Sequence, residues 1–108
     1  MANAQVGRRL LDNGTVVFDL RGELDVAVND ALRDVLEQTI RRQRPPMVVV
    51  NMRHVTFVDS TGMGALVAGL NAARDQEVRF VVQEVAPFVE KQLRIAGLYE
   101  TLVQAQGS

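Results

Sequence analysis

The chain is 108 residues long with 47% hydrophobic and 23% charged residues, a balance that fits one globular domain with its own core and excludes a disordered segment. Twelve basic residues against thirteen acidic ones give a net charge of −1, which removes the electrostatic case for nucleic acid or a membrane surface as a partner. With no cysteine and a single histidine, disulfides, thiol chemistry and imidazole-rich metal centres are excluded, and no metal or cofactor is expected.

The first residues, Met1 to Gln5, lack a basic-then-apolar leader, and the longest apolar runs, such as Met47 to Val50, are too short to cross a bilayer. A soluble cytoplasmic protein is expected, with residues 1–4 and 104–108 frayed and one domain over residues 5–103. Val6 to Leu11 reads as a first strand, and Gly7 with Arg8 and Arg9 suits a sheet edge. Asn13-Gly14 tolerates positive φ and predicts a hairpin into a second strand over Thr15 to Gly22.

From Val28 to Arg42 apolar residues recur every three or four positions, which predicts a helix capped by Asp25 or Asn29 and stopped by Pro45-Pro46. The arginines at 41, 42 and 44 suit the negative end of that helix dipole and are read so in preference to an anion site. Met47 to Val50 predicts a strand buried on both faces, followed by a connection over Asn51 to Val58 with Val55 and Phe57 turned inward. Ser60 to Arg74 predicts a second helix and Val78 to Gln83 another strand. A third helix is expected over Pro87 to Ala96, ended by Gly97, with a last short strand over Tyr99 to Val103. The fold class is α/β, a mixed sheet of four or five strands with helices mostly on one face. Leu32, Leu36, Val49, Leu66, Leu70, Val81 and Leu93 are the expected core.

Most of the functional information lies in Asp59-Ser60-Thr61-Gly62 and the helix that follows. Met63, Leu66, Val67 and Leu70 form a core-facing stripe by spacing, while Gly64, Ala65, Ala68, Gly69 and Ala72 are small and uncharged. Two glycines inside a helix cost about 1 kcal/mol each against alanine, so they imply that another backbone comes close. Either a partner docks there or the chain covers that face itself, and the pattern does not decide between the two. Ser60 and Thr61 stand where free helix N–H groups point outward, so a hydroxyl there serves as an N-cap or as a phosphate acceptor, and position alone favours the cap.

Enzyme readings fail on these residues. An aspartic protease needs Asp-Thr-Gly or Asp-Ser-Gly without an insertion, a nucleophile elbow needs glycine where Val58 stands, and a dinucleotide fingerprint needs glycine where Val67 stands. His54 reads as a surface loop residue. No active site assembles, and no enzyme is expected.

Asp59-Ser60-Thr61-Gly62-Met63-Gly64-Ala65-Leu66 resembles the Asp-Ser-[Ser/Thr]-Gly-x-Gly-x-Leu signature of the STAS domain in bacterial anti-sigma factor antagonists. Gly22-Glu23-Leu24-Asp25 is similar to that family's turn after the second strand, and Gly97-Leu98 to its closing Gly-Leu. The resemblance spans about residues 5–103. It implies the STAS fold and a switch protein that binds an anti-sigma factor which is also an ATP-dependent, GHKL-type serine kinase, releasing the sigma factor. It further implies that this kinase phosphorylates Ser60, with Thr61 as the alternative acceptor, and that a PP2C-type phosphatase reverses the reaction. Asp25, Asp59, Ser60, Thr61, Gly62, Gly64, Ala65, Ala68 and Gly69 are the partner-binding residues so implied, in a monomer or weak dimer. The competing expectation is a non-switching STAS scaffold of a transporter, lipid-transfer or stressosome-like complex.

Overall fold

The computed structural model describes residues 4–103. The expected frayed ends at 1–3 and 104–108 lie outside them, whereas Ala4 opens the first strand. The order is β1 (Ala4–Leu10), β2 (Val16–Leu24), α1 (Asn29–Gln43), β3 (Met47–Val58), α2 (Ser60–Asp75), β4 (Arg79–Gln83), α3 (Pro87–Ile95) and α4 (Tyr99–Val103).

The strands form one sheet in the order β1-β2-β3-β4. β1 is antiparallel to β2 and lies at an edge, and the other neighbours are parallel, so the sheet is mixed and four-stranded as the resemblance implies. Gly14 closes the β1–β2 loop with φ +89°, and the Asn13 side chain accepts the Thr15 N–H at 3.0 Å. Alternate residues of the strands face two sides. Val16, Phe18, Leu20, Val48, Val50, Phe80 and Val82 join the buried residues of all four helices, including Leu32, Leu36, Leu66, Leu70 and Leu93. Val17, Val49 and Val81 form a small separate cluster on the opposite face. This is why the short apolar run at β3 is buried on both sides.

Three expectations need correction. Residues 51–58 are not a connection but the second half of β3, still paired with β2 from Asn51–Asp19 to Val58–Leu24. Irregularities in that pairing break the two-residue alternation, so Met52, Val55 and Val58 are buried at every third position. For the same reason Phe57 does not turn inward and keeps 36% of its surface exposed. The segment Tyr99–Val103 is a helical turn, not a strand. Gly97, at φ +77°, lets its own N–H reach Arg94 O and the Leu98 N–H reach Leu93 O, a Schellman closure that ends α3 and redirects the chain. The turn of α4 then sinks Leu102 into the core and places the Tyr99 ring 3.9 Å from the Arg94 guanidinium carbon.

The caps of α1 also differ from expectation. Val28 stands at its N-cap with no side-chain bond, and Asn29 is already helical. Asp25 instead folds the preceding turn, its Oδ1 accepting the Ala27 N–H at 3.0 Å and its carbonyl accepting from Val28 and Asn29. At the other end Arg44 adopts the left-handed conformation before Pro45, and its N–H bonds Ile40 O.

Candidate functional site

β2 and β3 run parallel and finish side by side, with Leu24 and Val58 as register partners. The chain leaves β2 through the Asp25 turn and leaves β3 directly into α2, so the two exits meet. The Asp59 N–H donates to Leu24 O at 3.1 Å. Gly62 packs against the same carbonyl, where a Cβ would overlap the Leu24 oxygen and lie 2.9 Å from the Leu24 Cβ. Glycine at 62 therefore answers a close backbone approach.

The N-cap of α2 is supplied by the neighbouring carboxylate. Asp59 is extended, at φ −98° and ψ −175°, and is the N-cap of α2. Its Oδ1 accepts the Gly62 N–H at 2.9 Å and the Thr61 hydroxyl at 2.6 Å. These bonds, the Thr61 hydroxyl foremost and then the Gly62 N–H, hold the Asp59 carboxyl below its ordinary value despite partial desolvation, with smaller help from the N–H groups of Thr61 and Val26. The expectation of a serine cap is thus corrected. Ser60 is the first helical residue, exposed, and its side chain makes no hydrogen bond among the described residues. Thr61 is half-buried and its hydroxyl is committed to Asp59.

α2 is rotated relative to the expected stripe. Gly62, Ala65, Leu66, Gly69, Leu70, Ala72 and Ala73 are its buried residues, whereas Met63 and Val67 are only half-buried. A Cβ on Gly69 would lie 3.0 Å from Phe80 Cε2 and 3.1 Å from Leu36 Cδ1. The small residues let α1 and β4 approach α2, so the chain itself covers Ala65 and Gly69. Gly62 is buried in the same way against Leu24, so Gly62, Ala65 and Gly69 offer no surface to a partner. Gly64 remains exposed and Ala68 half-buried.

The structure therefore brings Asp25, Asp59, Ser60, Thr61 and Gly62 together at the carboxyl ends of β2 and β3. Ser60, Gly64, Val67, Ala68 and Asn71 follow one another up the outer side of α2, with no charge before Arg74. Sequence reasoning missed Val26, whose N–H points at the Asp59 carboxylate and whose side chain is 73% exposed beside the site. The available signal was an apolar residue in a polar turn. His54 lies exposed on β3 beside its register partner Arg21, in a strand and not in a loop. Among the described residues no group of acidic or histidine side chains is arranged to hold a metal ion, and no helix is long and apolar enough to cross a membrane.

Residues 10–105 match the STAS domain family. The chain belongs to that family. It is 26% identical over 89 residues to the anti-sigma F factor antagonist of Paenibacillus polymyxa, covering 82% of this chain and 76% of that one. It is 29% identical over 87 residues to the anti-sigma-B factor antagonist of Staphylococcus aureus, covering 81% and 80%. The fold superposes on the anti-sigma factor antagonist SpoIIAA in its unphosphorylated form with a TM-score of 0.77 at 22% identity, over 92% of this STAS domain and 86% of that chain. The phosphorylated form of the Bacillus protein SpoIIAA superposes with a TM-score of 0.71 at 22% identity, over 87% and 85%.

Proposed function

We propose that this STAS domain is an anti-sigma factor antagonist switched by phosphorylation of Ser60. The observation that carries the reading is the division of labour at the head of α2. Asp59 caps the helix and engages Thr61, which leaves Ser60 exposed and without a structural bond among the described residues. Between the two candidate hydroxyls, that favours Ser60 as the acceptor. The curated relatives, named as antagonists of anti-sigma factors, support the partner class. A structural neighbour described in both unphosphorylated and phosphorylated forms supports the modification.

In this mechanism the neutral strip from Ser60 to Asn71, with Val26 beside it, docks on the anti-sigma factor and releases the sigma factor. The partner, acting as a serine kinase, transfers the γ-phosphoryl group of ATP to the Ser60 Oγ. ADP leaves and the hydroxyl proton passes to solvent. The phosphate brings about −1.5 to −2 charges next to a carboxylate that is already ionised. Like charges brought together at an interface cost several kcal/mol, and about 3 kcal/mol weakens binding roughly 150-fold. A phosphatase of the PP2C type restores the neutral surface by hydrolysis.

The test is incubation with co-encoded candidate kinases and ATP, followed by mass spectrometry of the intact chain and its peptides. One phosphate on Ser60 is expected, absent in Ser60→Ala, while that variant still binds the kinase. Ser60→Asp is expected to bind more weakly than the parent but better than the phosphoprotein. Phosphate at full rate on Ser60→Ala would move the acceptor to Thr61. If neither hydroxyl is modified by any co-encoded kinase, the non-switching scaffold is the correct reading.

A further inference from the structure

α1 leaves the edge of the sheet incompletely covered, and a groove runs between it and β1. Its upper part is a cavity of about 410 Å³ walled by Val6, Phe18, Leu24, Val28 and Val35, all apolar, with Arg8 at its lower end. The groove continues into a second cavity of about 390 Å³ that shares Arg8, Ala31 and Val35. That lower part is polar, with Arg42, Gln38, Gln43 and Thr39, and Asp34 as its one carboxylate. Each volume lies in the range of roughly 300–1,000 Å³ in which proteins hold small molecules.

Arg8 donates to the Thr39 hydroxyl at 3.2 Å, which fixes the guanidinium at the junction of the two parts while leaving other N–H groups available. Neither Arg8 nor Arg42 is in an ion pair among the described residues. Two guanidiniums against one carboxylate leave the polar end with an excess positive charge. We propose that this groove binds a fatty carboxylate or a similar long-chain anion, with its alkyl chain between β1 and α1 and its head group at Arg8 and Arg42. A simple anion would leave the apolar half unfilled, and the cationic end favours an acid over a neutral lipid. The groove meets the Ser60 site at Leu24, but none of Asp25, Val26, Asp59, Ser60 or the outer side of α2 lines it, so the inference does not depend on the switch.

The experiment titrates the full chain with dodecanoate and, in parallel, with dodecanol, followed by calorimetry and backbone amide NMR, with light scattering for mass. The expected result is saturable binding of dodecanoate to a monomer, with shifts centred on Val28, Ala31 and Val35. Ala31→Trp should abolish binding by filling the groove, and the exposed position of Ala31 keeps the variant folded. Arg42→Gln should weaken dodecanoate by roughly tenfold and leave dodecanol unchanged. Equal affinity for acid and alcohol, full affinity in Ala31→Trp, or no saturable binding would each overturn the proposal. So would a dimer that Ala31→Trp dissociates, since the groove would then be an interface between copies.

Discussion

Ala68 and Gly69 are neighbours that face different ways, so one substitution tried at both separates packing from docking. At Gly69 the first side-chain atom already comes within 3.0 Å of Phe80 and 3.1 Å of Leu36. Arginine there overpacks the α1–α2–β4 contact, at about 1–3 kcal/mol. It also buries a guanidinium with no partner, which costs several kcal/mol more. The better helix propensity of arginine over glycine returns about 1 kcal/mol. The net loss is at least ~3 kcal/mol, and at about 4–8 °C per kcal/mol for a domain near this size the melting temperature falls by roughly 12–24 °C.

At Ala68, which is half-buried on the outer side, the same arginine keeps its head group in water, and a surface change of this kind stays within about 0.5 kcal/mol. Calorimetric melting of both variants, with binding to the proposed anti-sigma kinase partner measured on the folded one, is the assay. Ala68→Arg should melt within about 4 °C of the parent and lose affinity, whereas Gly69→Arg should be largely unfolded when warmed. A Gly69→Arg protein that melts with the parent would refute the packing of α2 against α1 and restore Gly69 to the docking surface.

The cap assignment predicts that Asp59→Ala costs about 1 kcal/mol, or roughly 4–8 °C in melting temperature, while Ser60→Ala costs nothing measurable; equal losses would return the cap to the serine. Acid titration of stability should show the carboxyls of Asp59 and Asp19, both held below the ordinary 3.8, the latter chiefly by its hydrogen bond from Arg9. Groups with folded values below their unfolded ones stabilise fully above the unfolded value, and that contribution is lost as pH falls through the folded ones. Denaturant midpoints should therefore be flat from neutrality to about pH 5 and decline below 3.8, a decline that Asp59→Asn makes shallower. Gly62→Ala should destabilise by about 1–3 kcal/mol because its Cβ meets a backbone carbonyl that cannot step aside; a melting curve unchanged from the parent would contradict the close approach of α2 to Leu24.

The helices were legible because their apolar periodicity is strong, and the edge strand because Gly7, Arg8 and Arg9 mark it. β3 was read short because its pairing irregularities replace alternation with burial at 52, 55 and 58, a period no strand template contains. Tyr99–Val103 looked like a strand because its composition is β-prone, but the Schellman closure at Gly97 fixes the direction of the chain before that propensity can act. At the site, the motif put Ser60 at the start of α2, where the structure has it, but did not give the orientation of the helix. Spacing alone offered Met63 and Val67 as core; Met63 does pack against it, half-buried, whereas Val67 lies on the outer side. Ala65, Gly69 and Ala72 face inward as well, and at Gly69 only a residue without a side chain admits Leu36 and Phe80.

The identity of the cap changes how the proposed switch operates. If Ser60 were the N-cap, a phosphate on it would take away the bond that starts α2 and would act partly by fraying the helix. With Asp59 as cap, the N–H of Gly62 is already satisfied, the carboxylate also accepts from the Val26 N–H, and the Asp59 N–H donates to Leu24 O, so the helix start does not depend on the Ser60 hydroxyl. The partly positive helix terminus tolerates the added phosphate, which leaves repulsion at the docking surface as the main consequence. The phosphoprotein should therefore keep the parent's circular dichroism and its melting temperature within about 4 °C while losing affinity on the order of a hundredfold. A drop in melting temperature in proportion to the lost affinity would mean that phosphate acts by melting α2.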